Sequence, residues 1–111
     1  MQTSEQMRHT LDFMLQTRFT PCNKMYNLPH GARITLSDND SSVCIGLIMK
    51  TNPFDLIVTE EHENWTGFKL LCGNRVVHGK QLRAKGWVNL QFDIGDEELG
   101  FALLEAIMAK F

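Results

Sequence analysis

The stretch Trp65-Thr66-Gly67-Phe68-Lys69-Leu70-Leu71-Cys72-Gly73-Asn74-Arg75-Val76-Val77-His78 decides the fold class. Two runs rich in aromatic, aliphatic and β-branched residues flank Gly73-Asn74, a dipeptide suited to the positive φ angles of a two-residue hairpin turn. The pattern predicts antiparallel strands at 65–72 and 75–78. Upstream, residues 43–51 are apolar on both faces, with Val43, Ile45, Leu47 and Met49 alternating with Cys44 and Ile48. A strand of that kind belongs in the middle of a sheet. The turn formers Asp38-Asn39-Asp40-Ser41-Ser42 imply a hairpin from an earlier strand at 32–37. Asn52-Pro53 breaks the run before a strand at 54–60, and 86–93 supplies the last, with Val88, Leu90 and Phe92 set against Trp87, Asn89 and Gln91.

Helices are expected at both ends. In 4–18, Met7, Leu11, Met14 and Leu15 follow the spacing of one buried face, with Thr3 as cap and Gln6 as its reciprocal partner. Thr20-Pro21 ends that helix, because proline disfavours helical geometry in the residue before it. Residues 20–31, with Pro21, Asn23, Asn27, Pro29 and Gly31, read as an irregular crossing loop. In 96–110, Asp96, Glu97 and Glu98 suit a positive helix N-terminus and Lys110 its last turn. The apolar residues of this second helix form two stripes: Leu99, Leu103, Ala106 and Ile107, then Phe101, Leu104, Met108 and Phe111. One stripe is to pack on the sheet. The other meets either the N-terminal helix or a second copy or protein partner. The expected fold is α+β, with an N-terminal helix, an antiparallel sheet or partly closed barrel of five to six strands, and a C-terminal helix.

Composition agrees with one domain over 1–111. The chain has 111 residues, 43% of them hydrophobic and 22% charged, which is enough for one core without a metal or disulfide staple. Cys22, Cys44 and Cys72 form neither a disulfide framework nor a zinc motif, and Cys44 and Cys72 read as small core residues. His9, His30, His62 and His78 have no metal-ligand spacing, and His62 among Glu60, Glu61 and Glu63 reads as a solvated acidic turn rather than a cation site. There is no phosphate-binding glycine loop and no nucleophile elbow. No catalytic residue, metal or cofactor is therefore expected, and the enzyme alternative is a Cys72–His78 nucleophile pair across the hairpin. Residues 1–19 are too polar for a signal peptide, and no apolar run approaches the roughly 20 residues needed to span a bilayer. A cytoplasmic protein with no membrane partner is expected.

The net charge of −2 conceals a segregation. From Asn64 to Phe92 there is no acidic residue, while Lys69, Arg75, Lys80, Arg83 and Lys85 are basic. Asp55, Glu60, Glu61 and Glu63 lie before this stretch, and Asp93, Asp96, Glu97 and Glu98 after it. The plainer reading is a solvated loop paired with its acidic flanks. The sharper one is RNA or single-stranded nucleic-acid binding through segment 69–87, with His78, Lys80, Arg83 and Lys85 meeting phosphates and Trp87 stacking a base.

Gly73-Asn74-Arg75-Val76-Val77-His78-Gly79-Lys80-Gln81-Leu82 resembles the second motif of the Sm/LSm proteins. Val43, Ile45, Gly46 and Ile48, followed by Phe54-Asp55-Leu56-Ile57-Val58, resemble their first motif. The resemblance covers about half the chain and implies a small β-barrel that forms rings and binds RNA at an inner rim. At the key positions this chain has His78-Gly79 for the family's Arg-Gly, Asn52 for its aspartate and Leu56 for its base-reading asparagine.

The leading expectation is a small non-enzymatic binding protein acting by protein contact, such as an inhibitor or immunity-type module. Its partner or second copy would meet Phe101, Leu104, Met108 and Phe111. Nucleic-acid binding is the alternative, and an undetected Cys/His enzyme the third reading.

Overall fold

A computed structural model describes residues 3–16, 23–39 and 42–111. The elements are α1 (Thr3–Gln16), β1 (Asn23–Asn27), β2 (Arg33–Asn39), β3 (Ser42–Met49), β4 (Ile57–Glu61), β5 (Trp65–Cys72), β6 (Arg75–Leu82), β7 (Val88–Ile94) and α2 (Glu97–Met108). The strands form one antiparallel sheet in the order β1-β2-β3-β7-β6-β5-β4. The chain is thus α+β, with an open sheet rather than a barrel, and with seven strands where five to six were expected, β1 being the addition. Thr20-Pro21, Cys22 and the Asp40-Ser41 part of the expected turn lie outside the described residues, as do the side chains of Thr3, Met14 and Leu15.

Within the sheet, β1–β3 form one meander and β4–β7 a second, joined by the pairing of β3 with β7 from Val43↔Ile94 to Met49↔Val88. This places β3 in the centre, where its two-faced apolar pattern belongs. Ile34, Leu36, Ile45, Leu47, Leu90, Phe92 and Ile94 all point to one face and are buried. Each such side chain is worth roughly 1.5–3 kcal/mol when fully buried. Both helices cover that face, α1 over β2 and β3 and α2 over β5, β6 and β7. Met7 and Leu11 of α1 and Leu103, Leu104 and Ile107 of α2 complete the core.

Phe101 of the second stripe of α2 meets α1. The Arg8 guanidinium lies 4.6 Å from the Phe101 ring centroid, and its Nη1 donates to the Glu105 carboxylate at 3.0 Å. Asp96 caps α2, accepting from the Glu98 and Leu99 amides at 2.8 and 3.4 Å. It also accepts from Arg75 at 2.9 Å, which ties the helix start to β6.

Three local differences from the sequence reading have physical causes. Residues 23–27, expected in a loop, form edge strand β1. Main-chain pairing with β2 and a 2.6 Å hydrogen bond between the Tyr26 and Thr10 hydroxyls hold it. Strand β4 begins at Ile57 rather than Phe54, because the Phe54 amide donates to Asn52 Oδ1 at 2.9 Å in a local turn that buries Phe54. Strand β6 runs past His78 to Leu82, because Gly79 lets two rings meet. Phe68 and Phe92 pack edge to face with centroids 5.4 Å apart, and a Cβ at Gly79 would lie 2.8 and 2.9 Å from them and 2.7 Å from the Gln91 carbonyl oxygen.

Gly79→Ala is expected to destabilise the fold by about 1–3 kcal/mol, since rings and backbone must shift, and urea unfolding would measure it. The Arg75 hydrogen bond, aided by the capping amides, holds the Asp96 carboxyl below the usual carboxylate range. Its contribution is then present above that range and lost as pH falls through the lowered value. Unfolding midpoints between about pH 7 and pH 2 should show a shallower acid limb in Asp96→Asn than in the native chain.

Candidate functional site

The face away from the helices has no covering layer among the described residues. Strand alternation places there Arg33, Thr35, Cys44, Gly46, Ile48, Asn89, Gln91, His78, Lys80, Trp65, Gly67 and Lys69. One register row crosses all seven strands as Met25, Thr35, Gly46, Gln91, Lys80, Gly67 and Glu60. Its centre is polar and low in relief, since two of its positions are glycine.

A cleft of about 400 Å³ opens on this face, lined among others by Cys44, Glu60, Trp65, His78, Lys80, Gln91 and Asp93. The Trp65 ring stacks on His62 with centroids 4.0 Å apart, and Lys80 Nζ lies 4.6 Å from the Trp65 centroid. His62 Nε2 lies 3.2 Å from the Glu60 carboxylate. The cleft thus mixes cations with carboxylates. Burial, then the neighbouring Asp93 carboxylate, pushes the Cys44 thiol up, against hydrogen bonds with Ser37 and the Phe92 backbone that pull it down. A thiol held protonated in this way is a poor nucleophile.

The second region lies at the end of the sheet, where residues 83–87 connect β6 to β7. The Arg83 amide donates to the Asn64 carbonyl at 3.2 Å and anchors the connection to the start of β5. A cleft of about 530 Å³ is lined by Thr66, Gln81, Leu82, Arg83, Ala84, Lys85 and Trp87. An adjoining cleft of about 290 Å³ is lined by Arg33, Ile48, Ala84, Trp87 and Asn89. Ala84 and Trp87 are common to both and form the wall between them. Trp87 is 42% exposed, with Lys50 Nζ 5.5 Å from its ring centroid. No Asp or Glu lines either cleft. No carboxylate among the described residues pairs with Arg33, Lys50, Arg83 or Lys85.

Acidic charge collects on the other side. The helical layer carries Glu5, Asp12, Glu97, Glu98 and Glu105, with Asp96 as the cap of α2, and its Arg8 and the adjoining Arg75 are ion-paired to Glu105, Asp96 and Glu98. Burial, then the Asp12 carboxylate, holds the Glu97 carboxyl above its ordinary value, a mark of crowded negative charge.

The expected nucleic-acid residues fall in two neighbouring groups. His78 and Lys80 line the open-face cleft, and Arg83, Lys85 and Trp87 line the end cleft. Arg33, Lys50 and Trp65 were not among them. The first two reach Trp87 through the long-range register of β2, β3 and β7, which no local pattern records. Leu104 of the expected partner stripe is buried, Phe101, Met108 and Phe111 are half-buried against the core, and Phe101 meets Arg8 of α1. The Cys72–His78 pair is not assembled. Cys72 is buried on the helix-bearing face, while His78 is exposed on the other. Among the described residues no group of three or more His, Cys, Asp or Glu is placed to hold a metal ion, and no helix is long and apolar enough to cross a membrane.

Comparison with protein-family models, curated proteins and solved structures returned no match.

Proposed function

We propose that this chain is a non-enzymatic binding protein that holds single-stranded nucleic acid at the Trp87 end of its open sheet face. The observation that carries the reading is the half-exposed Trp87 indole standing between two clefts that contain Arg33, Arg83 and Lys85 and no carboxylate. A base stacked on an indole gains roughly 1–3 kcal/mol, whatever its identity. Arg33, Lys50, Arg83 and Lys85 neutralise the flanking phosphates, and Asn89 on the open face offers hydrogen bonds to a base edge.

A single strand fits better than a duplex, because the indole needs an unstacked base. Lys80 and Trp65 extend the path: a phosphate that draws the ammonium aside uncovers the Trp65 ring for a second base.

The test is fluorescence anisotropy with labelled oligouridylate and oligothymidylate of about twelve nucleotides. Affinity should fall steeply between about 50 and 200 mM salt, with a log–log slope near −0.7 for each phosphate contact. Trp87→Ala should weaken binding about 5- to 150-fold, in line with the loss of one stacked base. Lys85→Glu should weaken it and flatten the salt slope. Absence of binding at low salt, or binding indifferent to both substitutions in folded protein, would overturn the reading.

A further inference from the structure

The sheet has two edges of unlike character. At β1, Tyr26 is tied through its hydroxyl to Thr10 of α1. At β4, nothing among the described residues covers the strand, and all five of its residues are exposed. Ile57 and Val58 are 43% and 56% exposed, and the pairing with β5 shifts between Val58 and Glu60. Ile57 faces the open side and Val58 the helix side, while beyond the shift Glu60 and Glu61 take the same two sides in turn. Each face of this edge therefore presents one apolar side chain followed by one carboxylate. Glu61 has no ion-pair partner among the described residues, and Glu60 has only His62.

We infer that β4 is a docking edge for an extended, basic segment of a protein partner, which adds to the sheet as an antiparallel eighth strand. An outer strand leaves main-chain donors and acceptors free for such pairing, and these give affinity while side chains on alternate faces give specificity. Running antiparallel to Ile57-Val58-Thr59-Glu60-Glu61, the incoming segment meets Glu61 and Glu60 first, then Thr59, then Val58 and Ile57. The matching order is two basic residues, one spacer and two β-branched apolar residues, so that each face gains one ion pair and one apolar contact. A second copy of β4 does not satisfy this pattern, because self-pairing about Thr59 sets carboxylates opposite Val58 and Ile57 and brings four acidic side chains onto one short ladder. No residue of β4 lines either Trp87 cleft, while Thr59 and Glu60 border the neighbouring cleft of Trp65 and Lys80.

The experiment uses the full chain and a labelled peptide containing Lys-Arg-Thr-Val-Ile, followed by anisotropy and by amide hydrogen exchange. The expected result is saturable binding with new protection confined to residues 57–61. A peptide with Glu-Glu in place of Lys-Arg should bind at least about tenfold more weakly, as should the peptide to Glu61→Lys or Val58→Lys protein of unchanged thermal stability. Four outcomes would overturn the inference: no binding, equal binding of the charge-reversed peptide, protection elsewhere in the chain, or concentration-dependent self-association that Val58→Lys abolishes.

Discussion

The pairing of β3 with β7 is the constraint on which the other parts depend. It joins a three-stranded meander to a four-stranded one. Once Ile45 lies beside Phe92 and Leu47 beside Leu90, the apolar rows run without a break across the middle of the sheet. Phe92 then reaches Phe68 over Gly79, and the two helices have a continuous surface to cover. The same pairing sets Met49 beside Val88, which brings Lys50 to Trp87. The core and the candidate site thus rest on one register.

Both helices lie on one face, and that asymmetry shapes the chemistry. The covered face takes the large aliphatic and aromatic side chains. The other carries polar and cationic side chains and two glycines, with Ile48, Trp65, Leu71 and Val76 among them. The helical layer also carries Glu5, Asp12, Asp96, Glu97, Glu98 and Glu105, and their ion pairs with Arg8 and Arg75 engage the cations on that side. Exposed pairs of this kind add little stability. Their larger effect is on the charge map, because the unpaired cations are left at the end of the sheet around Trp87. A net charge of −2 is therefore compatible with a local site for a polyanion.

Much of the architecture was legible in local patterns. Gly73-Asn74 marks a hairpin, and Gly73 takes the positive φ of 63° that the turn requires. Asp96 with the two glutamates after it marks a helix start, and it does cap α2. The two-faced apolar run of 43–49 marks a central strand. Strand β1 was not legible, since Asn23-Lys24-Met25-Tyr26-Asn27 has no apolar alternation and is held by main-chain pairing and one distant hydroxyl. Nor was the position of Gly79 inside a strand, which depends on two phenylalanines from neighbouring strands. Arg83, Lys85 and Trp87 could be grouped because they are close in sequence, whereas Arg33 and Lys50 join them only through the sheet order.

The proposed ligand site lies at the open end of the sheet and not on the helical layer. The most direct measurement is a titration of ¹⁵N-labelled protein with oligouridylate, followed by amide and indole NMR shifts. Changes are expected at Arg33, Lys50, residues 83–87 and the Trp87 indole N–H, with α1 and α2 unmoved. Shifts centred on the helices, or none at any concentration, would contradict it.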